Sequence, residues 1–121
     1  MQSKQKNLLV VDDEEDILEF LKVILEDEGY FVVTTDKGDY LERLQDTLPD
    51  LILLDLLLSG KDGREIVAYL KTQENTKHIP VIMFSAHPNA QAMTKNAGAD
   101  DFVAKPFEID LLLSKIAKYL K

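Results

Sequence analysis

Apolar positions along this chain fall into two alternating kinds of segment. Short runs rich in Val, Ile and Leu stand at Leu8–Val11, Tyr30–Thr34, Leu51–Leu54, Val81–Phe84 and Phe102–Ala104. They are nearly continuous rather than alternating in polarity, as strands are when both faces of a parallel sheet are covered. Between them the spacing turns helical. Ile17, Phe20, Leu21, Ile24 and Leu25 share one helix face, and Gly29 stops the run. Leu41, Leu44 and Leu48 predict a second helix that Pro49 ends. Ile66, Val67 and Leu70 mark a third. A short fourth covers Ala90–Ala97 and stops at Gly98. Ile109, Leu112, Leu113, Ile116 and Leu120 form the last, which is expected to run to the chain's final residue.

A strand followed by a helix, five times over with short connections, predicts βαβ crossovers and a parallel sheet. Right-handed crossovers place helices on both faces. The expectation is an α/β, flavodoxin-like (βα)5 doubly wound sandwich. Its five parallel strands take the order 2-1-3-4-5, with five helices. Leu8–Val11 and Leu51–Leu54 are then the central and most buried strands.

Composition bounds what such a fold can do. The 121 residues suit one domain. No Cys is present, which removes disulfides, zinc–thiolate sites and thiol catalysis. The longest apolar run is Ile66 to Leu70, too short to span a membrane, and Met1–Lys6 lacks the apolar stretch of a signal peptide. A cytoplasmic location is the expectation. The net charge of −8 argues against direct nucleic-acid binding and against anionic membrane. Residues 1–50 hold 14 acids and 5 bases, so the excess lies in the first half. Most of it reads as solvated helix surface. Glu14, Glu15 and Asp16 suit the positive end of the first helix. Asp12 and Asp13, directly after a strand, fit that account less well.

Open parallel sheets bind ligands beyond the carboxyl ends of their strands. The first strand leads into Asp12 and Asp13, the third into Asp55, the fourth into Ser85, and the fifth into Lys105 and Pro106. With strands one and three adjacent, three carboxylates meet in one crevice and raise one another's pKa. A bound cation relieves this, and oxygen ligands without His or Cys favour Mg²⁺. A carboxylate, a hard divalent ion, a Lys and a hydroxyl suit phosphoryl transfer. Taken singly, Ser85 and Lys105 are ordinary residues for a strand end and a surface. Asp55 carries more weight, because it interrupts the apolar stretch Leu51–Leu58.

Four segments, LLVVDDEEDI at Leu8–Ile17, DLILLDLLLSGKDG at Asp50–Gly63, PVIMFSA at Pro80–Ala86 and GADDFVAKPF at Gly98–Phe107, resemble the receiver domain of two-component response regulators, the CheY-like family. The resemblance covers the chain from Asn7 to Lys121 and implies a role for each matched residue. Asp55 stands at the phosphoacceptor. Asp13 stands at the acid that binds Mg²⁺ directly, Asp12 at its neighbour acting through water, and the backbone carbonyl of Leu57 at a further metal ligand. Ser85 matches the hydroxyl that hydrogen-bonds the phosphoryl group, and Lys105 the Lys that pairs with a phosphoryl oxygen. Phe102 matches the aromatic switch, the Lys105–Pro106 peptide is expected to be cis, and Gly63 opens the third helix.

The implied function is acceptance of a phosphoryl group from a sensor histidine kinase or a histidine phosphotransfer protein. The signal then passes to an output protein or domain over the face of the fourth helix, fifth strand and fifth helix. The chain would catalyse its own phosphorylation and slow dephosphorylation and nothing else, and a weak homodimer is compatible with it. Residues 1–6 are expected to form a flexible N-terminus and 7–121 the receiver domain, so output comes from another molecule or from sequence beyond this one. The chain departs from the family in several places. Ser59 replaces the usual Pro, Phe102 lacks a phenol, and the interval from Ser85 to Lys105 is about two residues short. Leu57 and His87 lie where the family tunes phosphoryl lifetime. His87 also reads as an ordinary loop residue. Two other classes compete. A haloacid-dehalogenase-type Mg²⁺ phosphatase needs a second Asp two residues after its first-strand nucleophile, and Glu14 stands there. A flavin- or nucleotide-binding module needs a Gly- or Ser/Thr-rich phosphate loop, where the acidic Asp12–Asp16 run stands.

Overall fold

The structure, a computed structural model, describes residues 5–37, 48–58 and 61–120. In chain order the elements are β1 (Asn7–Val11), α1 (Glu15–Asp27), β2 (Phe31–Thr35), β3 (Leu51–Asp55), β4 (Leu57–Leu58), β5 (Lys61–Asp62), α2 (Gly63–Thr72), β6 (Val81–Ser85), α3 (Ala90–Ala97), β7 (Asp101–Ala104) and α4 (Ile109–Tyr119). Five strands form one parallel sheet in the order β2-β1-β3-β6-β7. This is the order expected of the flavodoxin-like fold. Among the described residues there are four helices rather than five. The helix expected over Leu41–Leu48 lies almost wholly outside them. So do Ser59 and the residue after it.

The period of two along each strand sorts the core into two layers. Leu9, Val11, Ile52, Leu54, Val81 and Met83 pack against α2 and α3 through Ile66, Val67, Leu70 and Ala90. Leu8, Val10, Leu51, Leu53, Ile82 and Phe84 pack against α1 and α4 through Leu18, Leu21, Leu25, Leu112 and Ile116. Each such Leu contributes about 1.5–3 kcal/mol when fully buried. Strands β1 and β3 are deeply buried, as their composition implied, and β6 is equally so. The middle of the sheet is therefore three strands wide.

Turn chemistry ends the helices where the glycines stand. Gly29 follows α1 at φ 97°, and Gly98 caps α3 at φ 100°. Both lie in the left-handed region that costs Gly least. At the other end of the chain α4 stops at Tyr119 and Leu120 forms its cap; Lys121, the expected end, lies outside the described residues. Pairing at the chain's start reaches back to Lys6, whose carbonyl accepts from the Phe31 amide at 2.9 Å. No helix among the described residues is long and apolar enough to cross a membrane.

Candidate functional site at the carboxyl end of the sheet

Register brings the candidate residues together. Val11 lies opposite Leu54, Asp55 opposite Phe84, and Ser85 opposite Ala104. The ladder continues one step past the strands. The Leu56 amide donates to the Phe84 carbonyl at 3.0 Å, and the Lys105 amide to the Ser85 carbonyl at 3.0 Å. Asp12, Asp55, Ser85 and Lys105 thus leave the sheet along one edge. Asp12 is fully buried, and Asp55 and Ser85 are buried as well.

Lys105 ties these groups together. Its Nζ donates to Asp12 Oδ2 at 3.0 Å and stands 3.6 Å from Asp55 Oδ1 and 3.6 Å from Glu14 Oε1. The other Asp12 oxygen accepts from the Glu14 amide at 2.8 Å. The Lys105 side chain is only 15% exposed. Burial works to lower its pKa, but the Asp12 hydrogen bond and the charges of Asp55, Asp12 and Glu14 outweigh it and raise it. Asp55 moves the opposite way from an ordinary ion pair. Burial first and the charge of Asp12 next push its carboxyl up to about 6. Lys105 partly offsets them, and Asp13 adds a smaller push upward. Lys105 does not neutralise the crevice.

The surroundings fix Asp55 from behind. The Gly63 amide donates to the Leu56 carbonyl at 2.7 Å. A Cβ on Gly63 would lie 2.5 Å from the Asp55 carbonyl oxygen and 2.8 Å from that of Leu56. Only a hydrogen fits there, which gives a packing reason for glycine at the start of α2. The two-residue strands β4 and β5, with Leu57 opposite Asp62, fold the chain back toward that start. Asp62 caps α2 by accepting from the Arg64 amide at 2.9 Å. Leu57 stands on this hairpin and is exposed.

Ser85 Oγ accepts from the His87 amide at 3.0 Å, and His87 Nδ1 accepts from the Asn89 amide at 3.1 Å. His87 therefore shapes the turn into α3. Phe102 is half-buried against the α2–α3 layer and lines a surface hollow of about 280 Å³ with Gln91, Thr94 and Lys95. Its amide donates to its neighbour Asp101. The Lys105–Pro106 peptide is cis.

A metal was expected among Asp12, Asp13, Asp55 and the Leu57 carbonyl. Among the described residues no group of three or more His, Asp or Glu side chains is arranged to hold a metal ion. The donor chemistry nevertheless fits Mg²⁺, which takes one or two carboxylates with water and phosphate oxygens rather than a closed protein cage. The charges of Asp12 and Asp13 are both felt at the buried Asp55, so these carboxylates act on one another across one crevice.

Two features escaped the sequence pattern. Glu14, read there as helix-end surface, places its carboxylate near Lys105. Phe84, read there as core, lies under the same ammonium, with Nζ 5.1 Å from the ring centroid.

Comparison with known proteins agrees with this fold. Residues 8–117 match the family model described as the response regulator receiver domain. The chain is 38% identical over 117 residues to the phosphate regulon transcriptional regulatory protein PhoB of Rhizobium meliloti, with 94% of this chain and 52% of that protein covered. It thus spans about half the length of that relative. Among solved structures, the chemotaxis response regulator CheY4 of Vibrio cholerae superposes with a TM-score of 0.87 at 28% identity, covering 97% of this chain and 100% of that one. The receiver domain of a signal transduction histidine kinase from Syntrophus aciditrophicus gives 0.86 at 34% identity, covering 95% and 89%.

Proposed function

The chain belongs to the response regulator receiver family, and on that premise we propose that it takes a phosphoryl group from a protein histidine onto Asp55. The carrying observation is the buried Asp55 carboxylate, 3.6 Å from the Lys105 ammonium at the edge where Asp12 and Ser85 also emerge. A carboxyl at about 6 is still mostly ionised at neutral pH, and its incomplete neutralisation leaves it nucleophilic.

An Asp55 oxygen attacks phosphorus. The P–N bond to the donor imidazole breaks, the nitrogen keeps the electron pair, and a mixed anhydride forms on Asp55. Lys105 balances charge on the phosphoryl oxygens, and the Ser85 hydroxyl donates to one of them. Asp13, Asp55 and the Leu57 carbonyl would hold Mg²⁺, with Asp12 acting through water, and the ion when bound neutralises the same oxygens. When Ser85 turns to the phosphoryl group, its contact with the His87 amide loosens. The turn into α3 and Phe102 on β7 then shift population toward a second arrangement. The face of α3, β7 and α4 carries that change to an output protein or domain.

The donor must cover Asp55 from outside. An apolar cleft of about 450 Å³ lies beside Lys105, lined by Ile17, Phe20, Pro106, Phe107 and Ile109. Phe20 and Ile109 are exposed there, although large and apolar. We assign this cleft to the histidine kinase or phosphotransfer protein, because it adjoins the acceptor and its apolar wall suits a protein surface. Residues 7–121 are taken as the receiver unit, which modifies itself and turns over no external substrate.

Incubation with Mg²⁺ and acetyl phosphate, read by intact mass, tests the reading. One added phosphoryl group that Asp55→Asn abolishes is the expected result. No gain, or a gain that survives the substitution, overturns it. Turnover of an aryl phosphate beyond one equivalent would favour a phosphatase instead.

A further inference from the structure

Lys105 has one hydrogen-bonded carboxylate partner and two further anionic neighbours. Asp12 Oδ2 holds its ammonium at 3.0 Å, while Asp55 and Glu14 each stand at 3.6 Å. Glu14 lies on the solvent side, with its side chain 66% exposed. Lysine has a long stem with four rotatable bonds, so three anionic neighbours do not define one position. The fourth neighbour is not an anion. The ring of Phe84 faces the ammonium at 5.1 Å, within the reach of a cation–π contact.

The ring is itself held in orientation. Phe84 is fully buried, and Phe107 meets it edge to face, with centroids 5.3 Å apart and planes at 71°. Register places Phe84 between Asp55 on β3 and Val103 on β7, one residue before Ser85. It therefore lies under the path between the acceptor carboxylate and the root of Lys105.

We propose that Phe84 is a positioning residue for Lys105, its ring face keeping the ammonium beside Asp55 while the hydrogen bond to Asp12 is exchanged for one to the phosphoryl oxygens. The role rests on the reading of Asp55 as phosphoacceptor. A hydrogen bond to a carboxylate is directional and must break before the ammonium can turn to a new oxygen. Attraction to a ring face is broad, so it persists through the exchange. An aliphatic side chain would fill the same space without that hold, leaving Lys105 free to drift toward Glu14 and solvent. The ring is strongest where the cation is poorly hydrated, which a side chain 15% exposed provides.

The test separates the ring's electrostatics from its bulk. Phe84 is replaced at that one position by mono-, di- and trifluorophenylalanine, which deplete the negative ring face at nearly constant volume, and separately by Leu. Acetyl phosphate with Mg²⁺ is the phosphodonor. The Asp55 oxygen attacks phosphorus, the bond to the acetyl oxygen breaks, and acetate leaves. The rate of mass gain is expected to fall stepwise with fluorination, reaching about tenfold at the trifluoro ring and in Phe84→Leu. In the metal-free chain without donor, the Lys105 ε-methylene protons, shielded by the ring in the wild type, should move downfield along the same series. A fluorinated series phosphorylated at the wild-type rate overturns the role, even if Phe84→Leu is slow, since bulk alone then explains the Leu variant. Unshifted ε-proton resonances overturn it equally. If the wild-type chain takes no phosphoryl group, the proposed function falls and this role with it. A flat series in a chain that is phosphorylated removes this role alone.

Discussion

Aspartates stand at both ends of the sheet, and the two ends treat them differently. At the amino ends each finds partners of its own. Asp50 Oδ2 accepts from the Asn7 amide at 2.7 Å. Asp100 Oδ2 accepts from Lys71 Nζ and the Val81 amide, both at 2.8 Å. Asp101 Oδ1 accepts from Lys115 Nζ at 2.6 Å, and its Oδ2 from the Tyr119 hydroxyl at 3.2 Å. At the carboxyl ends Asp12 and Asp55 share one ammonium. The titration directions follow. Burial pushes Asp101 up, but Lys115, the Phe102 amide and Tyr119 outweigh it and leave its carboxyl lowered. Asp55 is pushed up to about 6. A parallel sheet collects all strand starts at one edge and all strand ends at the other. One residue type can therefore hold the fold together at one edge and carry charge held against stability at the other.

The largest effect expected from breaking this contrast is at Asp55. Asp55→Asn should abolish phosphoryl acceptance completely while making the metal-free fold more stable. The folded pKa lies above the unfolded value of about 3.9. Ionisation therefore costs stability as pH rises through about 6, and below about 4 both states are protonated and nothing is lost. The stability gap between variant and wild type should open between those pH values and stay open above them, at about 1–3 kcal/mol. Urea unfolding in a chelating buffer across that range measures it. A variant less stable than wild type at neutral pH would mean that Asp55 is held as favourably as Asp101.

Gly63 sharpens the contrast from the backbone side. A methyl there meets two carbonyl oxygens and the Met83 side chain, and carbonyls in a sheet edge cannot withdraw as a flexible side chain can. Gly63→Ala should cost about 3 kcal/mol, at the upper end for overpacking, and displace the Asp55 backbone. Slower phosphorylation should accompany the lower unfolding midpoint. A loss of stability with an unchanged phosphorylation rate would uncouple this packing from the site.

Much of this layout was legible in the sequence, and the rest was not for identifiable reasons. The runs Leu51–Leu54 and Val81–Phe84 announce buried strands, and each hands its next residue, Asp55 or Ser85, to the same edge. Gly29 and Gly98 mark helix ends because they meet a local conformational need. Strands β4 and β5 are two residues each, too short for any period to register. The pairing of Lys105 with Asp12 spans 93 positions, and nothing local links them. Phe84 looked like core and is core. Its second face became visible only once β7 placed Lys105 above it. Asp100 and Asp101 were equally silent, because Lys71 and Lys115 reach them from helices on opposite faces of the sheet.

The smallest expected effect lies at that amino end. Asp101→Asn keeps the shape and removes the charge, while Lys115 retains its bond to the Phe102 carbonyl at 3.0 Å. The loss should be about 1 kcal/mol at neutral pH, in keeping with one charge-assisted hydrogen bond beside solvent. The pH dependence runs opposite to that of Asp55. A lowered folded pKa gives stability that is fully present above the unfolded value of about 3.9 and is lost as pH falls through the folded one. The variant and wild type should therefore converge in acid, where the Asp55 pair also converges, and separate at neutral pH with the opposite sign. Phosphorylation of Asp101→Asn by acetyl phosphate should match the wild-type rate, since Asp101 lies at the far end of β7 from Lys105. A gap that widens in acid, or phosphorylation slowed as in Gly63→Ala, would show that the two edges are not electrostatically separate.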